Sequence, residues 1–132
     1  PVSMKVKITF IILKKDNNIS VTNDSHLKVY LSDEYLFPSK YISTKNEYDT
    51  LKEISEHHLN IDFDWIKKDL FSFEVLNNQE CEVIYLACLP QINEAEKTGS
   101  FYTLSELSDI GIELKSNYER AIFKRGKSPV GW

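Results

Sequence analysis

The chain is poor in the residues on which several common active sites depend. Among its 132 residues are four glycines, four prolines and two cysteines. It contains no G-x-x-x-x-G-K-[ST] phosphate loop, no C-x-x-C metal pair and no G-x-S-x-G nucleophile elbow. These absences argue against a P-loop nucleotidase, a zinc-ribbon protein and a serine hydrolase of the α/β type.

The two cysteines are not spaced to form a disulfide with each other. Cys81 and Cys88 lie in one predicted strand at an odd separation, which places their side chains on opposite faces. We therefore expect free thiols in a reducing compartment and a cytoplasmic protein.

Basic charge and long apolar runs are also scarce. The formal net charge is -4 and the pI is near 5.4, so no general attraction to polyanions exists and we expect no nucleic-acid partner. The apolar run ITFIIL, residues 8–13, is about a third of the length that spans a bilayer, so no membrane association is expected.

The residues that are present indicate one globular domain with a mixed sheet. Hydrophobic residues make up 42% of the chain, which is ordinary for a domain of this size. Strands are predicted at residues 5–13 and 26–32, with a short apolar segment at residues 19–21 between them, and residues 70–76 and 81–89 form a predicted hairpin around a polar turn. In the strand at residues 26–32, Leu27, Val29 and Leu31 share one face, and His26, Lys28 and Tyr30 share the other.

Helices are predicted between and after these strands, which gives an α/β (α+β) fold with a mixed sheet flanked by helices. Capping boxes at Thr103 with Glu106 and at Ser116 with Glu119 mark two late helices. Pro1 to Ser3 precede the first methionine and are expected to be cloning remnants, so the single domain is placed at residues 4–132. The predicted core comprises Ile8, Phe10, Ile12, Val29, Leu31, Leu51, Ile54, Phe73, Val83, Tyr85 and Ala87.

The segment LFPSKYISTKNEYDTLKEISEHHLNID, residues 36–62, holds the candidate site. We predict an ordered loop from Pro38 to Asn46 and a helix at residues 47–59 that is capped by Asn46. At 100° per residue its apolar side carries Tyr48, Leu51, Ile54, His58 and Leu59, and its polar side carries Asp49, Glu53, Glu56 and His57. Glu53 lies three residues before Glu56 and four before His57, spacings at which helical side chains can hold one cation between them. The alternative is an ordinary solvated face.

This segment resembles the signature of the Nudix family, written G-x5-E-x7-R-E-U-x-E-E-x-G-U with U aliphatic. The residues Lys52 to His57, KEISEH, match its R-E-U-x-E-E core, with lysine for arginine and histidine for the last glutamate. Phe37 to Lys40, FPSK, stand where members of the family have leucine, proline and two glycines. The resemblance implies a Nudix-like α/β/α sandwich whose helix carboxylates bind divalent cations while water attacks a phosphorus of a nucleoside diphosphate linked to another group.

The departures from the signature leave the activity open. If the domain is active, the resemblance implies Glu53 and Glu56 as catalytic residues and Asp49, Glu53, Glu56 and His57 as ligands of Mg²⁺ or Mn²⁺. Lysine for arginine loosens the hold on Glu53, and histidine for glutamate removes one oxygen ligand. We favour a binding or regulatory module, with weak or absent hydrolase activity, for a nucleotide-like small molecule or a protein partner. The alternatives are a metal-dependent Nudix hydrolase and an unrelated α+β domain.

Overall fold

The structure, a computed structural model, describes residues 4–15, 27–42, 46–89 and 94–126. The predicted domain limits therefore extend beyond the described residues at the carboxyl end, and Pro1 to Ser3, the apolar segment at residues 19–21 and His26 also lie outside them.

A mixed sheet forms the centre of the fold, as predicted. Its strands are β1 (Lys5–Lys15), β2 (Leu27–Leu31), β3 (Ser39–Tyr41), β4 (Lys67–Asn77), β5 (Glu80–Leu89) and β6 (Ser100–Thr103). Their order is β4-β5-β1-β2-β6. The short strand β3 pairs with residues 7–9 of β1, along the same edge of β1 with which β2 pairs at residues 13–15. β1 and β5 run parallel, and the other pairs are antiparallel.

Helices cover both faces of this sheet and give three layers. They are α1 (Glu47–His58), α2 (Leu104–Asp109) and α3 (Ser116–Gly126), and a short 3₁₀ turn spans Phe63–Trp65. Alternate residues of β1 point into two separate cores: Ile8, Phe10 and Ile12 pack with α1, and Ile11 and Leu13 pack with α2 and α3. Because each strand alternates its side chains, a central strand covered on both faces is apolar throughout. The predicted α/β/α sandwich is thus the observed architecture.

Nine of the predicted core residues are buried: Ile8, Phe10, Ile12, Val29, Leu31, Leu51, Ile54, Val83 and Ala87. Tyr85 is partly buried against the same core. The prediction is wrong for Phe73, whose side chain is 62% exposed. Phe73 lies on β4, the last strand of the sheet, whereas the main sheet contacts of α1 are with β1 and β3.

The helix ends follow local hydrogen bonding. The capping box of Thr103 and Glu106 is confirmed, with both reciprocal bonds present. At α3 the Lys115 carbonyl already accepts the Glu119 amide at 3.1 Å, so Ser116 lies at the first helical position rather than at the cap. The predicted loop from Pro38 is partly strand, because Ser39 to Tyr41 pair with β1.

Asn46 caps α1 as predicted. Its Oδ1 accepts the Asp49 amide at 2.8 Å, and its carbonyl accepts the Thr50 amide at 3.0 Å. Replacing Asn46 with alanine removes one acceptor from the first turn, and we expect the free energy of unfolding to fall by about 1 kcal/mol. Urea denaturation measures this change.

Asn60→Ala is the matched control for this prediction. Asn60 is an exposed residue whose backbone amide donates to the Ala95 carbonyl at 2.6 Å, a bond that the substitution keeps. If both variants lost the same stability, the cap would not be the cause.

Candidate metal site and ligand pocket

The orientation of α1 is fixed by four buried residues, Thr50, Leu51, Ile54 and Ser55. Glu56 and His57 are exposed, as the helical periodicity predicts. Tyr48, predicted on the apolar side, is instead 46% exposed, and its hydroxyl donates to Asp64. The buried face of α1 therefore includes two polar residues, Thr50 and Ser55. It is rotated toward them relative to the predicted apolar face.

Glu53 forms a salt bridge with Lys40. The Lys40 Nζ donates to the Glu53 Oε2 at 2.9 Å, with the two side chains 52% and 36% exposed. Lys40 is the β3 residue that stands where the signature has a glycine. The carboxylate matched to the first glutamate of the signature core is therefore already ion-paired.

The other proposed ligands do not converge on Glu53. The Glu56 side chain is exposed, and its backbone carbonyl accepts the Lys97 Nζ at 2.6 Å. The His57 ring packs edge-on against His58 with centroids 4.8 Å apart. Across the described ranges no three His, Cys, Asp or Glu side chains come together to hold a metal ion. As arranged, these residues do not supply the set of oxygen ligands that Mg²⁺ takes, and the roles of Asp49, Glu53, Glu56 and His57 stay a prediction.

His58 lies at the core edge, as predicted, beside the buried Tyr30. The Tyr30 hydroxyl donates to the Thr98 carbonyl at 2.6 Å, so its oxygen is left to accept from the His58 Nδ1 at 3.0 Å. Burial, followed by the nearby Asp33 and Glu96 carboxylates, raises the pKa of Tyr30 to about 12. Burial first, and then the charge of His57, lowers the pKa of His58. The site favours a neutral imidazole.

This lowered pKa predicts a loss of stability in acid. The unfolded chain takes up a proton on His58 near pH 6.5, but the folded chain does so only at lower pH. The contribution of His58 is therefore complete above about pH 6.5 and is lost as the pH falls through the folded pKa. We expect the free energy of unfolding to decrease between about pH 7.5 and 5 in the wild type, and to decrease less in His58→Asn, whose amide keeps an N–H donor.

His57→Asn controls for the general effect of acid on exposed histidines. His57 is exposed, so its replacement should reduce the pH dependence less than the His58 substitution does. Denaturant titration at each pH measures the free energy of unfolding of the three proteins. An equal pH dependence in the wild type and in His58→Asn would contradict the assignment of the acid effect to His58.

A pocket of about 260 Å³ opens on the other face of the sheet, toward α3. Its lining includes the aromatic residues Tyr35, Phe37 and Tyr118, two lysines, Lys7 and Lys115, and one acidic residue, Glu113. The Phe37 and Tyr118 rings meet edge-to-face with centroids 5.0 Å apart. The Lys115 Nζ lies 6.0 Å from the centre of the Tyr118 ring. Such a pocket suits a flat ring with negative charge nearby.

A buried carboxylate supports one wall of this pocket. Glu82 is 2% exposed, and its Oε2 accepts both the Thr9 hydroxyl and the Tyr118 hydroxyl, each at 2.6 Å. Burial first, and then the Glu82 carboxylate, raises the pKa of Tyr118 well above its usual value. Sequence reasoning missed this group, although a glutamate inside the apolar strand CEVIYLACL was the signal that could have found it.

β3 separates the pocket from α1. Ser39 lines the pocket, and the next residue, Lys40, reaches Glu53 on the opposite side, as alternation along a strand requires. The aromatic pocket and the Lys40–Glu53 pair therefore lie on the two sides of one short strand.

Solved structures with this arrangement of sheet and helices decide the fold. The C-terminal domain of mouse MUTYH, in a complex with human PCNA, has a TM-score of 0.65 at 12% identity, over 97% of this chain and 92% of that chain. A MutT/Nudix family protein from Listeria innocua has a TM-score of 0.61 at 10% identity, over 95% and 93%. This chain has a Nudix-like fold. The Nudix domain of Shewanella oneidensis NrtR, complexed with ADP ribose, has a TM-score of 0.56 at 13% identity, over 95% of this chain and 87% of that chain.

The solved structures confirm the Nudix-like fold, which in the sequence is indicated only by the resemblance of residues 36–62 to the Nudix signature. No family model matches the chain, and no curated protein matches it. At these identities the likeness extends to the fold alone. Within the described residues, no helix is long and apolar enough to pass through a lipid bilayer.

Proposed function

We propose that this Nudix-like domain binds a nucleotide-like ligand in the pocket beside Tyr35, Phe37 and Tyr118 and does not hydrolyse it. The observation that carries the proposal is the pocket itself, in which aromatic rings and two lysines occur together. A base or similar ring can stack against the aromatic side chains, and the lysines attract an anionic group.

The size of the pocket limits what enters it. A volume of about 260 Å³ is below the range of about 300–1,000 Å³ that holds drug-sized ligands. One ring system fits inside, and Lys7 and Lys115 of the pocket walls can attract the anionic group that it carries. The complex of the NrtR Nudix domain with ADP ribose supports a ligand of this class.

The Lys40–Glu53 pair supports a binding role over hydrolysis. A metal-dependent hydrolase needs cations that bridge protein carboxylates and substrate phosphates. Here the ammonium at 2.9 Å already neutralises Glu53, and only Glu56 remains of the paired glutamates in the signature. Cys81 and Cys88 are not joined in a disulfide, which agrees with the reducing cytoplasm that we propose as the location.

Two other functions also have observations in their favour. A divalent-metal-dependent Nudix hydrolase is favoured by Glu53 and Glu56, which share a helix three residues apart. A protein partner is favoured by the β4 edge, where Leu70, Phe73 and Val75 are 58%, 62% and 61% exposed, and by the MUTYH domain in its complex with PCNA.

Calorimetric titration with ADP-ribose and ADP tests ligand binding. We expect saturable binding that Tyr35→Ala weakens about tenfold, the loss of one base-stacking contact. Tyr48→Ala is the matched control, because Tyr48 is a similarly exposed tyrosine on the α1 side. Binding that both substitutions weaken equally, or that neither changes, would place the ligand elsewhere.

A turnover assay separates binding from hydrolysis. Phosphate and nucleotide release from a panel of nucleoside diphosphate derivatives is measured with Mg²⁺ or Mn²⁺, and Glu56→Gln serves as the comparison. We expect no release above the blank in either protein. Metal-dependent release that Glu56→Gln abolishes would establish the hydrolase in place of our proposal.

A further inference from the structure

Lys40 is positioned by the strand that carries it. It pairs with Ile8 of β1, and the strand is held at both ends by backbone bonds, from the Phe10 amide to the Pro38 carbonyl and from the Ile42 amide to the Val6 carbonyl, both at 2.8 Å. The backbone at Lys40 is thus part of the sheet, and the side chain leaves it on the α1 side.

Helix α1 fixes the backbone of Glu53 as firmly as the sheet fixes that of Lys40. Its neighbours Leu51 and Ile54 are each 4% exposed and anchor that turn of the helix in the core. The two backbones are therefore fixed independently, and their separation lets the lysine side chain reach the carboxylate at 2.9 Å. The contact follows from the register of β3 on β1 and from the packing of α1.

We propose that the Lys40 ammonium replaces a divalent metal as the permanent counter-cation of Glu53. The position that a glycine leaves open in the Nudix signature is filled here by a side chain that carries its own positive charge. An ammonium donates three hydrogen bonds and needs no ion from solution. The proposed nucleotide-like ligand then binds without a metal at Glu53, a consequence that rests on the proposed function.

The replacement has a measurable effect on metal affinity. A divalent ion at Glu53 would lie about 5 Å from the Lys40 charge, and even in a water-like dielectric that repulsion weakens binding by about tenfold. Removing the Lys40 charge should therefore raise the affinity for a divalent ion about tenfold. It also leaves an oxygen of Glu53 available to that ion.

Binding of Mn²⁺ to the ligand-free protein, followed by the electron paramagnetic resonance signal of the free ion, tests the proposal. We expect Lys40→Ala to bind Mn²⁺ about tenfold more tightly than the wild type. Lys40→Arg, which keeps the charge, should bind as the wild type does. Lys40→Ala with Glu53→Gln should lose the gain, because the carboxylate is then absent.

Lys124→Ala is the matched control, since it removes the same charge from an exposed lysine of α3, on the face of the sheet opposite α1. A gain in Lys124→Ala equal to that in Lys40→Ala would show that net charge alone causes the effect and would overturn the proposal. No gain in Lys40→Ala, with a thermal melt like that of the wild type, would also overturn it, as would a gain in Lys40→Arg.

Titration of the wild-type protein with ligand gives a second test. If ADP-ribose binds, its affinity in EDTA should equal that in Mg²⁺, and a requirement for metal would contradict the replacement. If neither ADP-ribose nor ADP binds, the proposed function fails, but the Mn²⁺ measurements still decide the role of Lys40.

Discussion

Replacing Gly99 with alanine should lower the free energy of unfolding by about 3–5 kcal/mol, a large fraction of the roughly 5–15 kcal/mol that stabilises a typical domain. Gly99 has φ +70, and a β-carbon there would lie 2.4 Å from the Leu31 carbonyl oxygen and 2.5 Å from the Tyr30 hydroxyl. Neither neighbour can move freely, because Leu31 belongs to the central sheet and the Tyr30 hydroxyl is bonded to Thr98 and His58. Urea denaturation of both proteins measures the loss.

Gly111→Ala separates the clash from the backbone conformation. Gly111 has φ +81, but nothing lies within 4 Å of a β-carbon built there. The substitution should therefore cost only the left-handed conformation, about 1 kcal/mol. Similar losses of stability at Gly99 and Gly111 would show that the close contacts of Gly99 do not determine its effect.

Removing both hydroxyl donors from Glu82 should have the second largest effect. In the double variant Thr9→Val with Tyr118→Phe, a carboxylate that is 2% exposed loses both of its bonds at 2.6 Å. Hydrogen bonds to charged groups contribute about 1.5–3 kcal/mol each, so we expect a loss of about 4 kcal/mol at pH 7 and about half of that for Tyr118→Phe alone. Chemical denaturation with circular dichroism follows it.

Tyr41→Phe is the control for the tyrosine substitution. Its hydroxyl also donates to a glutamate, Glu80, at 2.7 Å, but both groups are at the surface, where water replaces the lost donor. We expect less than about 1 kcal/mol there. A loss at Tyr41 as large as that at Tyr118 would mean that burial of Glu82 does not determine the effect.

The strands and the capped helix could be predicted because their signals are local. Alternation in β1 and β2, the polar turn after Asn77 and the cap at Asn46 each depend on neighbouring residues. Burial at the sheet edge could not be predicted in this way. Phe73 has the pattern of a core residue, and only the position of β4 at the end of the sheet leaves it exposed. Likewise Tyr30 is fully buried because helices cover both faces of the sheet.

The candidate site was predicted only in part, for a related reason. The spacing of Glu53 and Glu56 along a helix is visible in sequence, and so is the lysine in place of a glycine. That Lys40 reaches Glu53 depends on two registers, that of β3 on β1 and that of α1 on the sheet. The pocket is less predictable still, since Lys7, Phe37 and Tyr118 come from distant parts of the chain.

The parallel pairing of β1 with β5 has a consequence for synthesis of the chain. β1 is synthesised before the other strands of the domain, yet its parallel partners, from Lys5↔Glu80 to Lys14↔Leu89, lie far along the sequence. Long-range parallel pairing is slow because a large loop must close before any contact forms. Until β5 is made, one edge of β1 lacks its partner, although β2 and β3 can already pair with the other edge. The strands β4 and β5 can pair as soon as both are made. Folding of this domain on the ribosome should therefore be completed only when the β4–β5 hairpin joins β1, and the nascent chain is most in need of a chaperone before β5 appears.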